Sequence, residues 1–296
     1  MPKPAKRLSP VILGVATLDA IHLQQRVEPG FGGVAKNVAC ALGRLGQDPV
    51  FVSPGHGAAF DAALARHLQA HRVRWRRLPL TVPLPFFEAF VRAGGEVWRE
   101  RYYDNDAFAP LNATLLLRCR DQLLADGSLL ITSTDLHIRS LKTLETLCRQ
   151  HQTPFYLISS SRAKAHRLRT LRPDLLALNL AELHRLQPPA SDLPTLARQA
   201  AELVAPAGAC LLTLGPAGAL LVLPAAAKAL HQPVPPLTPV STVGAGDTLF
   251  AALIHHLDPH RPDWPLALTE ATRHTLAYLS GGAFPQPLPS QQEIRI

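Results

Sequence analysis

Short apolar runs alternate with amphipathic stretches through most of this sequence, and no other feature narrows the fold so far. Runs at residues 11–15, 50–53, 129–132, 155–158, 175–178 and 209–214 are compact and apolar. Between them, at residues 60–70, 113–125, 138–151, 163–171 and 193–204, apolar side chains recur every three or four positions, as they do again at 264–279. Apolar runs separated by helical patterns are strands buried on both faces, so the alternation predicts an α/β fold with three layers, helices on both sides of a mostly parallel central sheet. A further strand at 219–223 follows 209–214 after only a turn and is expected to be antiparallel to it. With 296 residues, 47% of them hydrophobic and 18% charged, no internal repeat and no polar linker, the chain is expected to form one domain over residues 1–296.

The rhythm breaks between residues 73 and 103. Two apolar segments, 84–92 and 96–103, flank Ala93-Gly94-Gly95, a hairpin signal. This predicts a small β lid projecting from the main sheet, contributed mainly by residues 73–106. The segment from Asp19 to Gly32 looks too short to supply lid strands of its own.

Composition excludes several roles. The formal net charge is +8, but the basic residues are spread without aromatic interleaving, and the denser runs at 71–77 and 162–172 read as solvated faces; no nucleic-acid partner is expected. The four cysteines, Cys40, Cys119, Cys148 and Cys210, stand far apart in apolar contexts, the pattern of reduced core thiols in a cytoplasmic protein. No Cys/His ligand spacing is evident, and no structural zinc is expected. Lys3, Lys6 and Arg7 before an apolar run mimic a signal peptide, but the run is short and reaches Asp19 without a cleavage site, so a first buried strand is the better reading. No run is long enough to span a bilayer.

The chemistry-bearing residues gather at strand ends and helix starts. Residues 241–256, STVGAGDTLFAALIHH, run from a glycine turn into a helical pattern. The first turn of such a helix offers unpaired backbone N–H groups at the positive end of its dipole, and Gly244 and Gly246 put no Cβ in the way of a phosphate. Asp247 at its mouth is either an ordinary N-terminal helix acid or a general base. A second glycine turn, Gly30 to Gly33, opens a helix with apolar face Val34, Val38, Ala41, Leu42 and Leu45, closed by Gly46. Asn37, in its first turn or so, is either solvated or within reach of a ligand. Asp19 follows the first strand at its carboxyl end, where parallel sheets bind ligands, though such an acid is also a common turn residue.

These motifs together resemble those of the ribokinase-like (phosphofructokinase B) sugar and nucleoside kinases. Gly32-Gly33-x-x-x-Asn37 with Arg44-Leu45-Gly46 resembles one family signature and Thr242-x-Gly244-Ala245-Gly246-Asp247 the other. Asn179-x-x-Glu182 and Thr213-x-Gly215-x-x-Gly218 fall between them in family order, so the likeness covers nearly the whole chain. It implies an ATP- and Mg²⁺-dependent kinase acting on a small sugar or nucleoside. Asp247 would be the base, and Gly244, Ala245 and Gly246 would supply N–H groups to the transferring phosphoryl. Asp19, Gly32, Gly33 and Asn37 would hold acceptor hydroxyls; Thr213, Gly215 and Gly218 would line the nucleotide site; Asn179 and Glu182 would support Mg²⁺ and phosphates through water. Such a lid would close over the sugar, and a homodimer joined through the lid is the expected assembly.

Within the family, the likeness runs closest to the pseudouridine kinases, carried by residues 32–39, by Ser159-Ser160-Ser161-Arg162-Ala163-Lys164 and by Asp104-Asn105-Asp106. It implies transfer to the 5′-hydroxyl of pseudouridine or a related riboside, with Lys164 either near phosphate or on a basic helix face. The alternatives are a kinase of a free sugar such as ribose, and a ligand-binding member of the fold that has lost turnover. Four departures motivate them: Ser241 and Ser159 stand where the family carries Asp, Pro54-Gly55-His56-Gly57 replaces a glycine-aspartate-aspartate stretch, and the segment between Asp19 and Gly32 is short.

Overall fold

The computed structural model describes residues 9–24, 26–103, 105–124, 128–258, 262–284 and 286–296. Strand β1 (Ser9–Leu13) leads into a hairpin, β2 (Thr17–Leu23) and β3 (Arg26–Gly32), and then helix α1 (Val34–Arg44), β4 (Val50–Gly55), α2 (Ala58–Ala70) and β5 (Arg74–Thr81). A second hairpin, β6 (Phe86–Val91) and β7 (Val97–Tyr103), precedes α3 (Ala113–Arg118), α4 (Arg120–Leu123), β8 (Ser128–Ser133), α5 (Ile138–Gln150) and β9 (Phe155–Ile158). The remainder comprises β10 (Leu175–Asn179), α6 (Leu180–Leu186), α7 (Leu193–Ala201), β11 (Ala209–Thr213), β12 (Ala219–Leu223), β13 (Lys228–Gln232), α8 (Ala245–His256), α9 (Trp264–Leu279) and β14 (Gln292–Arg295).

Among the described residues the main sheet has ten strands in the order β14-β13-β12-β11-β10-β9-β8-β1-β4-β5. From β11 to β5 every pairing is parallel; β12, β13 and β14 add an antiparallel edge. Alternate residues of each strand enter opposite cores, as a two-residue pleat requires. In β1, Val11 and Leu13 join the core packed by α5 and α7 (Leu141, Leu144, Leu196), whereas Ile12 joins the core packed by α1, α2 and α8 (Val38, Leu64, Phe250). The three-layer α/β arrangement expected from the alternation is therefore the arrangement found.

A separate four-stranded sheet, β3-β2-β6-β7, stands over the carboxyl ends of the parallel strands. It corrects the sequence reading in two places. Residues 74–81 pair in parallel with β4 at the edge of the main sheet, so they are no part of the small one. The stretch between Asp19 and Gly32 is not truncated: β2 and β3 pair along their full length, from Thr17 opposite Gly32 to Leu23 opposite Arg26. A tight hairpin spends almost nothing on its turn, and Pro29-Gly30 hid the second strand, since proline is tolerated at a sheet edge. The segment expected as a helix at 163–171 is a 3-10 stretch, Ala165–Thr170.

Candidate active site

The carboxyl ends of the parallel strands open on a cleft of about 1220 Å³, lined by Asp19, Asn37, Asn179, Glu182, Thr213 and Asp247 among others. This is where an open parallel sheet binds ligands, because the helix N-termini point there.

Helix α8 supplies the centre. Gly244 caps it in a left-handed conformation, φ 78°, and a Cβ there would stand 3.0 Å from the Tyr278 hydroxyl. That hydroxyl donates to the Val243 carbonyl at 2.7 Å, so α9 pins the turn. No side chain caps the helix. Of the three amides expected to meet a phosphate, those of Gly244, Ala245 and Gly246, the Ala245 amide instead donates to the Thr242 carbonyl at 3.2 Å, which leaves Gly246 the better placed, with the neighbouring Asp247 amide in the same first turn. The turn is also tied to the small sheet: the Thr242 amide and hydroxyl both donate to the Gly95 carbonyl, each at 3.0 Å.

Asp247 half-faces the cleft, and its Oδ2 accepts from Asn37 Nδ2 at 2.8 Å. Burial pushes its carboxyl up to about 6, against the opposing pull of the Asn37 bond and of Lys36. A carboxylate tuned this way is poised to accept a proton near neutral pH. Asn37 thus touches the candidate base directly, while also lining the cleft.

Asp19, 9% exposed, accepts from Thr17 Oγ1 at 2.5 Å, and burial raises its carboxyl while Thr17 and Lys36 oppose the rise. Gly32 does not line the cleft; a Cβ on it would fall within 2.0 Å of the Asp19 carboxyl carbon. Its role is to let β3 pass close to Asp19, so among the four residues expected to hold acceptor hydroxyls, Asp19, Gly33 and Asn37 face the cavity.

Asn179 and Glu182 form a capping box at the start of α6. Asn179 Oδ1 accepts from the Glu182 amide and Glu182 Oε2 accepts from the Asn179 amide, both at 2.9 Å. Burial pushes the Glu182 carboxyl up to about 7, opposed by the Asn179 amide. Beside it the buried Ser159 hydroxyl also opposes the rise, although it makes no hydrogen bond of normal geometry. A carboxylate oxygen not used by the capping box and a neighbouring hydroxyl at the cleft wall fit a hydrated, oxygen-seeking cation such as Mg²⁺.

Lys164, the residue with two readings, lies in the cleft wall. Its Nζ donates to Asp135 Oδ1 at 2.6 Å and sits 5.4 Å from the Tyr102 ring centre and 5.3 Å from that of Phe108. Arg167 holds the turn that carries Asp135, its Nη1 lying 2.7–2.9 Å from the Thr134, Asp135 and Leu136 carbonyls, to which it donates. Thr213, Gly215 and Gly218 line the far end together with the 234–237 segment and the inner face of α9. None of residues 54–57 lines the cleft: the His56 ring bonds the Pro83 carbonyl at 3.1 Å and its amide donates to Asp61 at 2.8 Å. Asp104 lies outside the described residues. Asp135 and Tyr102 went unseen in the sequence, since each is isolated among residues of ordinary type; Lys36 was visible as the basic residue of the 32–39 string, but not its place beside Asp247.

A family model described as "pfkB family carbohydrate kinase" matches residues 12–263. No curated protein matches the sequence. Solved structures similar to this one include a carbohydrate kinase from Agrobacterium tumefaciens, 19% identical, covering 97% of this chain and 100% of that one with a TM-score of 0.75. Adenosine kinase from Sinorhizobium meliloti is 16% identical, with coverages of 96% and 97% and a TM-score of 0.77. Arabidopsis thaliana ribokinase complexed with ribose and ATP is 18% identical, with coverages of 94% and 95% and a TM-score of 0.69.

Proposed function

As the chain belongs to the pfkB family of carbohydrate kinases, with their ribokinase-like fold, we propose that it transfers the γ-phosphoryl group of ATP to the 5′-hydroxyl of pseudouridine or a similar riboside. The observation that carries the chemistry is the 2.8 Å bond between Asn37 and Asp247, 210 residues apart, which joins the two glycine motifs in one cleft. In this reading Asp247 accepts the proton of the attacking hydroxyl. The amides of Gly246 and Asp247 receive the charge that spreads over the transferring group. Thr213, Gly215 and Gly218 hold the nucleotide, and Asp19 and Gly33 orient the acceptor. Glu182 and Ser159 would hold Mg²⁺ through water, which when bound neutralises phosphate charge.

A nucleoside is favoured over a free sugar by the underside of the small sheet. The Phe87 and Tyr102 rings, 4.7 Å apart, both border the cleft and offer a flat base an aromatic surface that a lone pentose would leave unused. Val27, Trp98 and Tyr103 on the same sheet are 51%, 50% and 42% exposed, which supports a homodimer joined there. The four cysteines are free and buried, consistent with a cytoplasmic setting, and no helix among the described residues is long and apolar enough to cross a membrane.

The test is an ATP-consumption screen over pseudouridine, uridine, adenosine, ribose and fructose 6-phosphate. Turnover of pseudouridine ahead of the others supports the assignment. Turnover of ribose alone would move it to the free-sugar kinases, and ATP binding without any turnover would make the chain a binding member of the fold.

A further inference from the structure

Away from the cleft, on the outer side of α1, three side chains with metal-binding atoms converge. Cys40 lies on α1, His67 on α2 and His71 at the end of α2, and one ligand atom from each falls within 4.8 Å of the others. Cys40 Sγ and His67 Nε2 are 3.8 Å apart. A tetrahedral zinc ion, with bonds of about 2.3 Å to sulfur and about 2.0 Å to nitrogen, holds such atoms about 3.5 Å apart. The fit therefore needs only small side-chain shifts.

We propose that Cys40, His67 and His71 form a binding site for a single borderline transition-metal ion, of which Zn²⁺ is the reference case, with its fourth position open to solvent.

Three observations beyond the distances support the assignment. First, His71 Nδ1 lies 2.8 Å from the His67 carbonyl. A carbonyl only accepts, so that nitrogen carries the proton, and Nε2 keeps the lone pair; ligating histidines are commonly oriented by such a bond from their other nitrogen. Second, His67 and His71 share the four-residue spacing that puts two side chains on one helix face, and their rings lie 4.4 Å apart. Third, the site has a dry wall and an open side: Cys40 is buried, the Phe31 ring packs 4.9 Å from His67, and both histidines are half-exposed. One thiolate with two imidazoles selects borderline metals over the hard Mg²⁺ that suits Glu182. The site escapes a motif scan because Cys40 and His67 are 27 residues apart on different helices.

The site also touches the machinery described above. Cys40 is one turn beyond Lys36 and Asn37, so an ion bridging α1 to α2 would hold the helix that carries both.

The test uses the full chain, reduced and stripped with a chelator, titrated with Co²⁺ as the spectroscopic probe and then with Zn²⁺. Expected are one ion per chain, a near-ultraviolet thiolate-to-cobalt charge-transfer band, tetrahedral visible bands, displacement by Zn²⁺, and a raised Tm. Cys40→Ala should abolish the charge-transfer band. His71→Gln, at a half-exposed position just past the end of α2, should weaken binding by at least about tenfold. If wild-type protein binds Co²⁺ without the thiolate band, or if His71→Gln binds as tightly as wild type, the ions sit on other histidines and the proposal is overturned. The His71 arm decides even if Cys40→Ala fails to fold.

Discussion

Asp247 is kept ionised near neutral pH by the Asn37 amide and the Lys36 ammonium working against burial. Its carboxyl lies at about 6 rather than 3.8, so between those values the folded protein binds a proton that the unfolded chain has released. Folding stability must then fall as pH rises through that window, and it recovers on acidification. Asp247→Asn keeps an oxygen for Asn37 but removes the buried charge. It should lower kcat by about 10²–10⁴-fold while its Tm at pH 8 equals or exceeds that of wild type, the gap closing in acid; a large loss of Tm at pH 8 would contradict the assignment. In wild type, kcat/KM should decline below about pH 6, because the protonated carboxyl cannot accept the hydroxyl proton. Glu182 gives a separate readout. Gln at that position keeps the acceptor for the Asn179 amide, so the capping box survives, but the anion is lost. Melting should change little, and the Mg²⁺ concentration for half-maximal rate should rise several-fold. Both residues were legible in the sequence because each sits in a short string with its own geometry, a glycine turn or an Asn-x-x-Glu box. Asp135 was not, because its meaning comes from what the fold brings beside it, the Lys164 ammonium 29 residues further along the chain.

The tip of the β6–β7 hairpin is docked on the glycine turn before α8. Thr242 reaches the Gly95 carbonyl through both its amide and its hydroxyl, and Gly95, at φ 81°, passes so close to Pro239 that a Cβ would stand 2.5 Å from its carbonyl oxygen. The small sheet and the helix that carries Asp247, the proposed base, are thereby mechanically joined. Gly95→Ala should undock the tip, and because neither hydrophobic core includes it, Tm should hold within a few degrees. KM for the acceptor should rise, and ATP hydrolysis without acceptor should increase as water gains access. Unchanged KM together with unchanged background hydrolysis would show that the tip does not act as a lid. The hairpin itself was plain in the sequence from Ala93-Gly94-Gly95, whereas its partner strands β2 and β3 were not, since Pro29 and Gly30 break the alternation that marks a strand. β13 and β14 escaped for a related reason: Lys228–Gln232 and Gln292–Arg295 lack β-branched runs and are strands because β12 offers an edge to the first and β13 to the second.

Over the whole molecule, charge is divided by place. The chain carries a formal net charge of +8, yet the side chains that face the cleft include Asp19, Asp135, Asp247, Glu100 and Glu182, with Lys164 already paired to Asp135. The positive excess therefore lies outside the crevice, where it shapes approach rather than contact. The topology made the layered arrangement readable from alternation alone, since buried parallel strands must be apolar on both faces, but alternation carries no information on where the surface charge lies relative to the strand ends. An anionic nucleotide should be drawn toward such a body and then held inside by backbone amides and a cation, since the cleft's own carboxylates repel it. The rate constant kcat/KM for MgATP should consequently fall as salt is raised from about 10 mM to about 150 mM, over which the screening length shrinks from about 30 Å to about 8 Å. At saturating MgATP, kcat/KM for an uncharged riboside should stay level over the same range, because no long-range attraction assists its capture. Stopped-flow or steady-state measurement of both constants across that series separates the cases. A flat response for MgATP would mean that the basic surface has no part in nucleotide capture, and a parallel fall for both substrates would point to salt acting on the fold or the small sheet instead.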